Sequence, residues 1–286
     1  MRPIPRSARI LGIFLAVAAF GSGGGTAAGA DRTKPHKIKS ATHHFVARSI
    51  VVPASLAHFE IVANDTAKIT IVLTGLAKLV DTVRFDVANG ILTIQDESTR
   101  LDYTIVSDRQ NIIVGSGNII VDNIGTPSSS LNKSTKFSES EMKLLPLTFK
   151  ISAPKRIAVR FKRAMGRITL NGLTGVHQIE LAANGALSGE RLAGQLSLKV
   201  SENTAAKISR ATLDRLSILA DDNAAVEFSG VAKRASASVT SNAEIEFNGT
   251  ADKADFSASE NGTITTSGDI KSVTQEKSDN AEIEIR

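Results

Sequence analysis

Six asparagines recur along the C-terminal half of the chain at a nearly fixed interval. Asn184, Asn203, Asn223, Asn242, Asn261 and Asn280 are separated by 19, 20, 19, 19 and 19 residues. So regular a period restricts the chain to architectures that stack one unit per repeat. Laid over one another, the units form columns. Three residues after each Asn stand Leu187, Ala206, Val226, Ile245, Ile264 and Ile283. Five residues before stand Ile179, Leu198, Ile218, Ala237, Phe256 and Gln275. Around Asn242, Ala237, Val239, Ile245 and Phe247 share one side, and Ser238, Thr240, Glu244 and Glu246 the other. A period of two on both flanks means a strand, a corner and a second strand, each with one buried face. The expected fold is therefore all-β. It is a parallel β-helix, or β-solenoid, with coils of about 19 residues, preceded by a smaller β-rich N-terminal subregion.

Asparagine suits a corner because it tolerates the left-handed backbone better than most residues. Stacked amides can also bond along a ladder. The six Asn are accordingly expected to be structural, at positive φ. At ~4.8 Å per coil, six coils span on the order of 25–30 Å. Gly230, Gly249 and Gly268, again nineteen apart, mark a second corner where glycine supplies an unusual backbone angle. In the last coil Gln275 and Lys277 replace apolar residues, as expected of an end that must not be adhesive to other strands.

Outside the repeat, Arg2, Arg6 and Arg9 precede an apolar run over residues 10–20, and Ala28, Gly29 and Ala30 follow. The pattern predicts a signal peptide over 1–30 and hence export to the periplasm, the cell surface or the medium. The run is shorter than the ~20 apolar residues that span a bilayer, and no later segment is apolar enough to cross one. Residues 31–44 are polar and basic and are expected to be loose. Short β-rich runs from Phe45 onward, with Asn64-Asp65 and Asn89-Gly90 as turns, define an N-terminal β-rich part over 45–124. Residues 125–143, rich in Gly, Pro, Ser and Thr, read as a linker or exposed insertion, and 144–286 as the solenoid.

Two blocks resemble the auto-transporter adhesin, head GIN domain family. One is FEIVANDTAKITIVLTG followed by VDTVRFDVANGILTI, containing Asn89-Gly90-Ile91-Leu92-Thr93-Ile94. The other is LTFKISAPKRIAVRFKRAMGRITLNGLTG followed by the Asn-centred coils. The resemblance runs from about 45 to 286, with 126–143 departing as an insertion. It implies a β-helix-like fold and an extracytoplasmic setting, and it carries no catalytic motif.

Chemistry is sparse. With no cysteine there is no disulfide scaffold, thiolate metal site or cysteine nucleophile. HExxH, GxSxG and phosphate-binding glycine loops are absent from the sequence. Of the five histidines, His36, His43, His44, His58 and His177, the first three fall in or beside the segment read as loose. Asp221, Asp222 and Asn223 are the closest cluster of oxygen ligands. Glu227, Glu246 and Glu284 stack in one outward column, with Glu244 and Glu282 beside them. Such acids leave open a polysaccharide lyase or hydrolase as an alternative. No catalytic residue, cofactor or metal is expected. The most suggestive surface is basic. Lys150, Lys155, Arg156, Arg160, Lys162, Arg163 and Arg167 fall within eighteen residues that contain no acid, whereas residues 221–286 carry thirteen acids against six bases. The cations are a candidate surface for an anionic glycan, a lipid or another envelope component. Nucleic acid is not expected, because no aromatics interleave with them. The reading is a non-enzymatic exported solenoid for surface binding, adhesion or envelope structure.

Overall fold

The computed structural model describes residues 37–96 and 146–286, and between them only the backbone of four strands. The predicted signal peptide over 1–30 lies outside the described residues, as does most of the predicted linker over 125–143.

The chain opens with β1 (Ile38–Phe45), β2 (Ser49–Val52), β3 (His58–Asn64) and β4 (Ile69–Leu76), then a single helical turn, α1 (Ala77–Val80). β5 (Arg84–Ala88) and β6 (Ile91–Gln95) form an antiparallel hairpin closed by Asn89 and Gly90, at φ 53° and 76°. Positive φ at both central residues is the turn that an Asn-Gly pair favours. β7 (Tyr103–Val106), β8 (Gln110–Gly115), β9 (Asn118–Asn123) and β10 (Thr135–Ser138) make a separate four-stranded sheet. β11 (Thr148–Pro154), β12 (Ala158–Ala164), β13 (Arg167–Asn171), β14 (Thr174–Leu181), β15 (Ala186–Glu190) and β16 (Ala193–Val200) lead into the long strands β17 (Ala205–Ala220), β18 (Ala225–Val239) and β19 (Glu244–Ala258). β20 (Thr263–Ser267), β21 (Val273–Lys277) and β22 (Glu282–Ile285) follow.

Parallel pairing joins each strand to its counterpart one coil away: β12 to β14 to β16, and β13 to β15 to β17. The result is a β-solenoid of about seven turns. Each coil contributes to two broad sheets. The first contains β13, β15, the starts of β17, β18 and β19, then β20 and β22. The second contains β12, β14, β16, the ends of β17, β18 and β19, then β21. Their inner side chains meet in one core of Ile, Leu, Val, Ala and Phe. Phe228 stacks on Phe247 of the next coil at 5.0 Å, and Phe247 reaches Phe256 of the opposite sheet at 5.9 Å. Each fully buried aliphatic or Phe side chain contributes roughly 1.5–3 kcal/mol. Thin coils thus accumulate stability by repetition.

The N-terminal part is built into this stack. β2 pairs in parallel with β12, and β3 with both β13 and β11. The intervening strands then reverse direction: β4 pairs antiparallel with β11 and with β1, and β5 with β6. Phe59, Phe149 and Phe161 pack there, with Phe59 4.5 Å from Phe149 and 5.0 Å from Phe161. Residues 38–44 of the segment read as loose from its polarity therefore form a strand. Ile38–Phe45 is an edge strand whose outer positions tolerate polar residues, and Phe45 packs against Phe85 at 5.3 Å.

The Asn corners differ from the expectation in one respect. The left-handed residue is the one before the asparagine: Glu202, Asp222, Ser241, Glu260 and Asp279 have φ between 57° and 63°. Of the six asparagines, only Asn184 (φ 68°) shares that conformation, next to Ala183 at 48°. The corner is a four-residue turn with the Asn third. Its closing bonds run from Gly185 to Ala182, Ala224 to Asp221, Ala243 to Thr240, Gly262 to Ser259 and Ala281 to Ser278, at 3.0–3.3 Å. Positive φ at the second residue alone, as at the five later corners, is the pattern of a type II′ turn, which here carries the chain from one sheet to the other. The Asn side chain is left free to point outward, where Asn223 donates to Asn203 at 3.4 Å and Asn261 to Asn242 at 3.3 Å.

At the glycine corner, close approach is the common requirement. A Cβ on Gly249 would sit 2.3 Å from the Gly230 carbonyl oxygen, and one on Gly268 2.2 Å from that of Gly249. Positive φ applies to Gly230 (152°) and Gly268 (130°). In the last coil Gln275 and Lys277 stand over Phe256 and Ala258, and all of β21 is exposed.

Candidate binding surface

The seven cations of residues 150–167 surround the first coils instead of sharing one strand face. Lys150 is exposed on β11, and Lys155 and Arg156 stand at the bend before β12. Arg160 and Lys162 project outward from β12, alternating with the buried Val159 and Phe161. Arg163 follows near the end of β12, where the strand's register shifts, and Arg167 opens β13 on the other broad sheet. Folding therefore converts a linear cluster into a band that passes over both sheets and two corners. None of the seven makes an ion pair among the described residues. The one acid in register with them is Glu60, placed opposite Lys150 and Thr169. The backbone N–H of Arg167 donates to Nδ1 of His58 at 3.2 Å. Partial burial, and secondarily the Arg167 charge, lower the pKa of His58.

Cations further along are arranged otherwise. Lys199 pairs with Glu180 at 3.4 Å, Lys207 with Glu227 at 2.7 Å, Arg210 with Glu190 at 2.6 Å, Lys233 with Asp214 at 2.6 Å and Lys271 with Asp252 at 2.7 Å. Each pair bridges neighbouring coils, since residues nineteen or twenty apart are stacked. Exposed pairs of this kind contribute little stability, typically under ~1 kcal/mol. They do neutralise the surface locally, which the band at 150–167 lacks.

The carboxylates read as an alternative acidic site occupy the first broad sheet. Glu227 registers with Glu246, and Glu246 with Thr265 and then Glu284; Glu244 registers with Thr263 and then Glu282. They stand on an open sheet face, with Glu246 accepting from Asn248 Nδ2 at 2.8 Å. Asp221 is committed to its own corner. Its Oδ1 accepts from the Asp222 N–H at 2.8 Å, from the Ser241 hydroxyl at 3.2 Å and from the Thr240 hydroxyl. The Thr240 bond, more than the others, lowers its pKa. Among the described residues no three His, Asp or Glu side chains converge to hold a metal ion. His43 stacks on aromatic rings and His44 meets the Thr70 hydroxyl at 3.1 Å. His177 is wholly buried in the core, with neither ring nitrogen hydrogen-bonded.

A second basic feature escaped the sequence reading. Arg215, Arg234 and Lys253 stack directly on the second broad sheet. Their spacing of nineteen residues is a signal the sequence carries, of the same kind as the acidic column through Glu227 and Glu246. Among the described residues no helix is long and apolar enough to cross a membrane.

No family model matches the chain, and no curated protein does. Solved structures do. The chain is similar to a "putative adhesin" from Bacteroides fragilis, with TM-score 0.59 and 13% identity over 87% of this chain and 97% of the other. It is also similar to a "putative adhesin" from Parabacteroides distasonis, with TM-score 0.53 and 16% identity over 88% of this chain and 98% of the other. At such identities the likeness is one of fold, and it extends over nearly the whole of both solved chains.

Proposed function

We propose that this protein is an exported, non-enzymatic binding protein that engages an anionic component of the cell envelope, glycan or lipid headgroup, through the basic band at 150–167. The observation that carries the reading is the contrast in charge pairing. Of the eleven cations after Arg167, five are matched by an acid one coil away and two more by an acid two residues along the chain, whereas Lys150, Lys155, Arg156, Arg160, Lys162, Arg163 and Arg167 have no ion pair among the described residues. An unneutralised band on a rigid scaffold attracts polyanions and holds them by multiple weak contacts. The adhesin names of the two structural neighbours support a binding role, and the signal-like N-terminus supports an envelope or extracellular setting. The test is binding of the chain to acidic polysaccharide, to lipopolysaccharide and to anionic vesicles over a range of salt. Neutralising Arg160, Lys162 and Arg163 together is expected to weaken binding and flatten its salt dependence. Unchanged affinity in that variant would refute the assignment.

A further inference from the structure

The coils between Asn203 and Asn261 pair most of the charges on their broad faces, and the exceptions have opposite signs on opposite sides. On the second sheet Arg215 lies directly over Arg234, and Arg234 over Lys253. Neither arginine has an ion pair among the described residues, and Lys253 meets only Asp255, at 3.2 Å. On the first sheet Glu227 lies over Glu246, with Glu244 alongside, and neither Glu244 nor Glu246 has an ion pair among the described residues. Like charges directly opposite on neighbouring strands are unfavourable. The same coils avoid this elsewhere: Asp214, Lys233, Asp252 and Lys271 alternate in sign along the adjacent column.

We infer that these two faces dock on one another between copies of this chain, the Arg215–Arg234–Lys253 column of one against Glu244, Glu246 and Glu282 of the next. A soluble polyanion would answer the basic column alone. A second copy answers both exceptions with one contact. Both sets of charges lie on the same ~4.8 Å coil spacing: the three cations stand one per coil, Glu244 and Glu282 stand two coils apart, and Glu246 lies two residues from Glu244 on the same strand. The flanking side chains are small or aliphatic: Ser217, Ser236 and Leu219 beside the cations, Ala225, Thr263 and Thr265 beside the acids. They let two sheet faces approach. Leu219, 40% exposed, supplies apolar area. The contact joins unlike faces, so it is heterologous and leaves a free face at each end to add further copies. It is independent of the envelope ligand proposed above, which uses Arg160, Lys162 and Arg163.

The experiment is sedimentation velocity and light scattering of the expressed chain over a range of concentration and salt. Concentration-dependent association at low salt, lost at high salt, is expected. The double variant Arg215→Glu, Arg234→Glu and the double variant Glu244→Lys, Glu246→Lys should each be monomeric alone. Mixed in equal amounts they should associate, since the acidic face of the first retains its match on the second. Recovery on mixing also shows that both variants are folded. A wild-type chain that stays monomeric at low salt overturns the proposal, as does association that survives both reversals. So does a monomer that binds a soluble acidic polysaccharide through Arg215 and Arg234, which would reassign the column to that ligand.

Discussion

His177 makes the stability of this fold depend on pH in a calculable way. It stands on β14 between Val159 and Leu196 of the neighbouring coils, fully buried, with both ring nitrogens unpartnered. Burial pushes its pKa from 6.5 down to about 4. The Leu173 backbone lies near enough to favour the protonated ring slightly, without reaching hydrogen-bond geometry. The native protein therefore holds this ring neutral, while the unfolded chain binds a proton below about pH 6.5. Between those two values the unfolded state carries more protons, so stability falls as pH falls. Above 6.5 the group contributes no pH dependence; below 4 the loss is complete. At 1.36 kcal/mol per pH unit, the loss attributable to His177 approaches about 3 kcal/mol. That is a large share of a typical folding free energy of ~5–15 kcal/mol. The variant His177→Leu, which copies the residue one coil on, removes the titration and two unsatisfied polar atoms. The assay is equilibrium denaturation of both proteins at pH 7.5 and at pH 4.5. The variant should equal or exceed wild type at the higher pH and lead by about 2–3 kcal/mol more at the lower. Equal pH dependence in the two proteins would show that the ring is solvated or bonded in the native state and would refute the reasoning.

Other perturbations address the corners. Asn242→Ala removes the amide acceptor that Asn261 uses at 3.3 Å. It should cost on the order of 0.5–1.5 kcal/mol, seen as a lower Tm, and leave ligand affinity of the folded protein unchanged. Gly249→Ala places a methyl 2.3 Å from a backbone oxygen that belongs to the coil below. The coils must separate locally, so a loss of about 1–3 kcal/mol or more is expected in thermal or denaturant unfolding. Ser236→Ala, on an exposed position of the same stack, is the control and should change stability by less than ~0.5 kcal/mol.

The repeat was legible because a solenoid's long-range contacts fall at one fixed sequence interval. Val226 and Ile245 touch by construction once the nineteen-residue period is seen, and the alternation around Asn242 says which side is buried. Even the polar terminal coil, Gln275 and Lys277, could be read from broken columns. The same periodicity concealed the rest. Which turn residue takes the left-handed conformation depends on how the chain passes from one sheet to the other, so it falls on Glu202, Asp222, Ser241, Glu260 and Asp279 and not on the asparagine that follows each. Strands β2 and β3 join the stack through partners about a hundred residues away, a distance no repeat encodes. The polar β1 is held by its pairing with β4 and by the packing of Phe45 on Phe85. The basic cluster at 150–167 is contiguous in sequence, and the coil distributes it around its perimeter. The sequence alone determined the architecture, because every coil repeats the same local pattern. Only the tertiary structure decided which charges stand together, because that depends on how far the chain turns between them.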